Sequence, residues 1–212
     1  METLQFSETA VIYRTKLNMS EHKEEILKLC EELMTNLSKV KTDGYGYTMI
    51  TNNLDFLGNI EIKNKLDEVV QSGINKCIEL YKTTNAEYNM VDTDGWVNVV
   101  RAKDPVQLNF KEGMEKYHVH TEINKQMNSF VPTYTYVYYV QMPNNLEGDD
   151  AVLFFKDKDG IEFSILPEED DLIIMPADIP HSPNMADNST KDRIVFAGNV
   201  GFSYIKKQKS LI

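Results

Sequence analysis

The chain has 212 residues, with 22 Lys+Arg against 33 Asp+Glu and a formal net charge of −11. That length is the prior for one domain, and 42% hydrophobic with 26% charged residues is a globular rather than a disordered composition. The acidic balance speaks against nonspecific nucleic-acid binding, and no apolar run approaches the roughly 18–20 residues of a membrane span.

The N-terminus lacks the basic-then-apolar pattern of a secretory signal. Cys30 and Cys77 form neither a CxxC pair nor a zinc spacing, so two free thiols in a reducing cytoplasm are expected. The basic cluster Lys206, Lys207 and Lys209 reads as a solvated tail.

In chain order, residues 4–16 read as a strand centred on Ala10–Tyr13. Ser20 is placed to N-cap a helix starting at Glu21, because a hydroxyl accepts from a free first-turn amide. Ile26, Leu29, Cys30, Leu33, Met34 and Leu37 then recur on one face of that helix. Turn signals fill residues 42–59. A second helix is predicted over 60–83, with Leu66, Val70, Ile74, Cys77 and Tyr81 as its buried stripe and Gly73 weakening its middle. Asp92-Thr93-Asp94-Gly95 reads as a turn.

From Gly95 the pattern becomes short β-rich runs, near 96–101, 106–110, 116–121, 133–142, 151–156, 161–166, 171–175 and 192–205. Lys158-Asp159-Gly160 joins two of them as a hairpin. Eight short strands with no helix between them predict an antiparallel sandwich or barrel such as a jelly roll. We expect a single domain over 1–212. Residues 1–94 would give helical support packed on one sheet, and 95–205 the jelly-roll core.

Of four histidines, His22 lies in an acidic first turn and reads as surface. His118, His120 and Glu122 fall on one face of a predicted strand, because strand side chains alternate. His181 follows the strand DLIIM and its Pro-flanked turn, where a jelly roll can bring it beside them. Two imidazoles and a carboxylate on one side of an ion form the facial pattern of non-haem Fe(II), which leaves positions for substrate and O₂. His120, Glu122 and His181 supply that set, and His118 is a substitute ligand giving a three-imidazole site. Same-face geometry does not separate the two registers. Arg193 opens the last strand. It reads either as an edge ion pair with Asp192 or Glu169, or as a bidentate anchor for a cosubstrate carboxylate. Thr135, Val137 and Tyr139 share one strand face, from which Thr135 and Tyr139 would hydrogen-bond the same carboxylate.

Taken in order, WVNVV, HVH, TYVYYVQMP, ILPEEDDLIIMP, PH and DRIVFAGNV resemble the strands of the 2-oxoglutarate/Fe(II)-dependent oxygenases. The similarity is to the small prolyl-hydroxylase-like members of bacteria and tailed bacteriophages, and it runs from Trp96 to Val200. The resemblance implies a double-stranded β-helix (jelly roll, cupin-like), mainly β with N-terminal helices. It implies Fe(II) on His120, Glu122 and His181, 2-oxoglutarate held by Arg193 with Tyr139, and O₂ as oxidant. The reaction implied is hydroxylation of a C–H bond with succinate and CO₂ as co-products. The implied partners are the small-molecule cosubstrate and a protein or peptide substrate, with no nucleic acid and no membrane, in the cytoplasm (the host's, if phage-encoded). The chain departs from the pattern with Glu where most members carry Asp, with the extra His118, and with Glu169-Asp170-Asp171 in place of Glu-Gly-Asp. Two rival readings are a cosubstrate-independent metal cupin using His118, His120 and His181, and a non-enzymatic jelly-roll binding module.

Overall fold

The computed structural model describes residues 2–7, 10–35, 41–43, 46–51, 60–80, 88–102, 117–120, 133–186 and 188–204. Their elements, in chain order, are strands β1 (Glu2–Ser7) and β2 (Ala10–Lys16), a 3-10 turn (Ser20–His22) and helix α1 (Lys23–Met34). Then come β3 (Lys41–Asp43), β4 (Gly46–Thr51), helix α2 (Ile60–Leu80) and β5 (Tyr88–Val100). The remaining strands are β6 (Tyr134–Gln141), β7 (Leu153–Lys156), β8 (Glu162–Ile165), β9 (Asp171–Pro176), β10 (His181–Pro183) and β11 (Arg193–Tyr204). The protein is mainly β. A large antiparallel sheet has the order β1-β2-β9-β6-β11-β5-β4-β3, and a small one the order β10-β7-β8.

Strand alternation divides the core in two. On β9, Leu172 and Ile174 join one cluster while Ile173 and Met175 join the other. On β6, Tyr134, Tyr136, Tyr138 and Val140 face one way, and Val137 and Tyr139 the other. The first cluster includes Ile26, Cys30 and Met34 of α1 and Ile62, Leu66, Val70, Ile74 and Cys77 of α2, so the helices cover that face of the large sheet. The second cluster adds Leu153, Phe155 and Ile165 of the small sheet. The space between the sheets therefore receives the odd-numbered residues of β6, β9 and β11.

Several sequence expectations are corrected. The strand read over 4–16 is a hairpin of two, β1 and β2. Within the run 42–59 read as turns, β3 and β4 pair with each other, and β4 pairs β5 on its other side. Ser20 does not cap α1. The N-cap position is His22, without a side-chain cap bond, and the Asp170 carboxylate accepts instead from the Asn18 and Met19 amides at 2.7 and 2.9 Å. Asp170 thus ties the backbone that leads into the 3-10 turn, ahead of the helix itself. Asp92-Thr93-Asp94-Gly95 lies inside β5, where Asn199 pairs Asp94 and Val200 pairs Asp92, leaving Thr93 as the extra residue of a β-bulge. Strand β10 was not foreseen. Of the strand read over 116–121, residues 117–120 are described, and they make one bridge rather than a strand. The strand read over 106–110, together with Leu37, Tyr81 and the basic tail, lies outside the described residues.

Gly73 is where α2 crosses closest to the sheet. A Cβ there would lie 2.5 Å from Ile174 Cδ1 and 2.6 Å from Tyr13 Cδ1, both on fully buried side chains. Intrinsic helix propensity favours alanine by about 1 kcal/mol, whereas overpacking typically costs about 1–3 kcal/mol. We expect Gly73→Ala to lower stability by about 1–2 kcal/mol in urea unfolding. A variant as stable as the parent, or more so, would show that α2 does not sit this close to β2 and β9.

Candidate metal centre and anion site

His181 opens β10 and pairs Phe155 of β7, with its ring buried between the sheets. His118 forms an antiparallel bridge with His181, the amide of each donating to the other's carbonyl at 3.0 Å. Two residues on, the His120 amide donates to the Ala177 carbonyl at 2.8 Å. The segment Tyr117–His120 is thereby laid along β10 and the turn before it. Alternation turns both its imidazoles to the same side. One ring nitrogen each from His118, His120 and His181 lies within 4.8 Å of the others. The ring centroids are 4.3 Å (118–181), 5.0 Å (118–120) and 5.1 Å (120–181) apart.

The donor set suits a metal. The Nδ1–H of His181 donates to the Ile179 carbonyl at 3.0 Å, which leaves the Nε2 lone pair available as a ligand. Burial holds His118 and His120 at pKa about 4, and His181 at about 3, each aided by the neighbouring imidazole. All three rings are therefore neutral at pH 7, as ligation requires. Trp96 of β5 stacks on His120 with centroids 5.5 Å apart and planes 23° apart, and Phe155 lies 6.5 Å from His181. Glu122 lies outside the described residues.

Arg193 is buried at the opposite end of the inter-sheet space. Its Nη1 donates to the Asn184 carbonyl at 3.3 Å and its Nη2 approaches Asn98 Oδ1 at 3.5 Å. A cleft lined by Val100, Pro143, Asn184, Met185 and Lys191 reaches it. The edge ion pairs that sequence allowed for Arg193 go elsewhere. Asp192 binds Arg101 at 2.8 Å and the Ala102 amide at 2.7 Å. Glu169 binds Lys23 and Lys191, and these cations hold its carboxyl at about 2, below the usual carboxylate range, against the upward push of burial. Tyr139 faces the same interior. Burial raises its hydroxyl pKa while the Arg193 guanidinium works the other way.

Thr135 faces the same interior as Tyr139; Thr135 pairs Asn199 and Tyr139 pairs Val195. Thr135 Oγ1 donates to Asn199 Oδ1 at 2.8 Å. Three inward residues escaped the sequence reading: Trp96, Asn98 and Asn199. The signal was present, since Trp96 and Asn98 alternate with the buried Val97 and Val99 of the helix-facing side.

The lowered imidazole pKa values carry a pH dependence. Between about 6.5 and about 4 the unfolded chain binds protons that the folded metal-free protein does not, so stability falls as pH drops through that window. Each group contributes up to about 1.4 kcal/mol per pH unit there. Urea midpoints of the metal-free protein at pH 7, 6 and 5 should decline, and decline less in His118→Gln/His181→Gln. An equally steep decline in that variant would assign the protons to other groups. Loss of the Glu169 ion pairs belongs to a separate window, below about 4.5, as the unfolded carboxylate protonates first.

No protein-family model matches the chain, and no curated protein does. Solved structures do. A Pseudomonas putida prolyl-4-hydroxylase aligns with a TM-score of 0.55 at 10% identity, over 91% of this chain and 93% of that one. A Trichoplax adhaerens prolyl hydroxylase, in complex with a hypoxia inducible factor oxygen degradation domain peptide fragment, aligns at 0.58 and 14% identity, over 89% and 82%. The viral collagen prolyl hydroxylase of Paramecium Bursaria Chlorella virus-1, in a 2OG complex, aligns at 0.52 and 12% identity, over 89% and 94%. The chain thus has the fold of the small prolyl-hydroxylase-like 2OG-Fe(II) oxygenases, at sequence identities that speak for fold alone.

Proposed function

We propose that the protein is an Fe(II)- and 2-oxoglutarate-dependent dioxygenase that hydroxylates a C–H bond of a second substrate. The observation that carries this is the convergence of three neutral imidazoles between the sheets of a fold shared with such enzymes, with a buried arginine at the far end of the same space. We read the two sheets as the halves of a jelly roll, the chain as one domain, and the cytoplasm as its place. Among the described residues no helix is long and apolar enough to cross a membrane, and both cysteines are free and buried. A peptidyl substrate is the first class to test, since one neighbour of the same fold is bound to a peptide.

His120, Glu122 and His181 would hold the iron, with His118 as the substitute ligand that would make a three-imidazole site. Two imidazoles and a carboxylate would balance part of the Fe(II) charge and leave positions for cosubstrate and O₂. Arg193 would take the far carboxylate through its planar fork, with the Tyr139 hydroxyl beside it. The small inward residues Val137 and Ala197 floor the space between the two ends, and Trp96 and Phe155 limit water around the imidazoles. Bound iron supplies O₂ activation, coupled to conversion of 2-oxoglutarate into succinate and CO₂. The protein's own share is orientation of the two ends and exclusion of water.

The three-histidine cluster also favours a second reading, a cosubstrate-independent metal cupin. Anaerobic addition of Fe(II) and 2-oxoglutarate separates the two. The dioxygenase should show the weak visible charge-transfer band of the chelate, and its absence would leave the cupin ahead.

Two sets of variants test the assignments. His120→Ala and His181→Ala should lose Mn(II) binding in calorimetry. Glu122→Ala should lose it and His118→Ala retain it. The reverse pattern would install His118 as ligand. Arg193→Ala should weaken 2-oxoglutarate binding at least about tenfold with Mn(II) affinity unchanged, because removing one member of a buried charge pair costs about 2–5 kcal/mol. Arg193→Lys should fall between, keeping charge without the fork. Unchanged cosubstrate affinity in Arg193→Ala would remove the anchor from the account.

A further inference from the structure

His181 and His120 are oriented by different means. The His181 ring is pinned by its bond to the Ile179 carbonyl. The His120 ring has no side-chain hydrogen-bond partner among the described residues, and only its backbone amide is tied, to Ala177. What fixes its plane is stacking. Trp96 lies on it with planes 23° apart, and His181 lies 5.1 Å away with planes 20° apart. Trp96, His120 and His181 thus form a near-parallel stack running from β5 of the large sheet to β10 of the small one.

We propose that Trp96, the single tryptophan of the chain, is the positioning residue for His120, taking the place of the hydrogen-bonded carbonyl or carboxylate that usually orients a liganding imidazole. Trp96 is anchored for this from below. Its strand neighbours Val97 and Val99 are buried on the helix side, and its backbone pairs both Ala197 of β11 and Ile50 of β4. A flat indole face restricts rotation of the imidazole about its Cβ–Cγ bond while leaving both ring nitrogens uncovered. A hydrogen bond would occupy one of them. The ring is also large enough to screen that side of the ligand from water. The proposal deepens the metal-site reading and rests on it.

The test compares Trp96→Phe, which keeps a flat ring, with Trp96→Leu, which keeps apolar bulk alone. The probe is Co(II) added to the whole metal-free protein, read by calorimetry and by the visible d–d bands that report coordination. Loss of an orienting partner typically lowers metal affinity about 10–100-fold. Trp96→Leu should therefore weaken Co(II) binding by roughly tenfold or more and alter the bands, and Trp96→Phe should restore both to near the parent. If Leu and Phe behave alike, Trp96 only fills space and the proposal fails. The parent supplies an arm that needs no variant. Its tryptophan emission, excited beyond the tyrosine band, comes from Trp96 alone, so stoichiometric Co(II) should quench it. Calorimetric binding without quenching would overturn the stack on the liganding ring even if Trp96→Leu does not fold. A parent that binds no Co(II) while His181→Ala behaves identically would sink the metal site itself, a different result from binding that is indifferent to Trp96.

Discussion

The site depends on one pair of backbone hydrogen bonds. His118 and His181 are 63 positions apart in the chain numbering, and their reciprocal 3.0 Å amide–carbonyl bonds set them opposite each other as neighbours in a sheet. Side chains directly opposite in an antiparallel pair lie on the same face. The bridge therefore brings the two imidazoles together without any attraction between them. His120 follows from the period of two, its amide held by Ala177 at the turn into β10. A one-residue slip of this register would turn His118 and His120 to the outside and leave His181 alone.

The electrostatics are divided between the two ends of the same space. At one end burial strips the imidazoles of their protons, so the centre presents lone pairs rather than charge. At the other a guanidinium is kept among carbonyl and amide oxygens. A chain of net charge −11 repels anions at long range. Screening within about 8 Å at physiological salt makes the local arrangement decisive instead.

The helical layer is tied to the strand ends that carry this space. Arg14 of β2 grips the buried Asp171 that starts β9. Asp170 accepts from the backbone before α1 and from Tyr138. Glu169 joins Lys23 of α1 to Lys191, and Arg101 joins Glu31 of α1 to Asp192. Lys191 and Asp192 immediately precede Arg193. The acidic turn Glu169-Asp170-Asp171 thus works as a clamp between layers.

The period of two determined, from sequence alone, that His118 and His120 share a face, that Thr135, Val137 and Tyr139 do too, and that the chain from Gly95 onward is rich in β-strand runs. These are local properties of a pleated chain. The apolar stripes of both helices were equally legible, because Ile26, Cys30 and Met34, or Leu66, Val70 and Ile74, must lie on one side of a 3.6-residue turn. Tertiary structure decided what depends on pairing across distance. It chose His118 and His181 as neighbours, paired Thr135 with Asn199, and placed Trp96 against His120. It also absorbed the turn-like Asp92–Gly95 into β5 as a bulge and left α1 without the Ser20 cap. Periodicity says which face a residue occupies. Only strand order and register say what lies opposite it, and they are set by packing of the whole core.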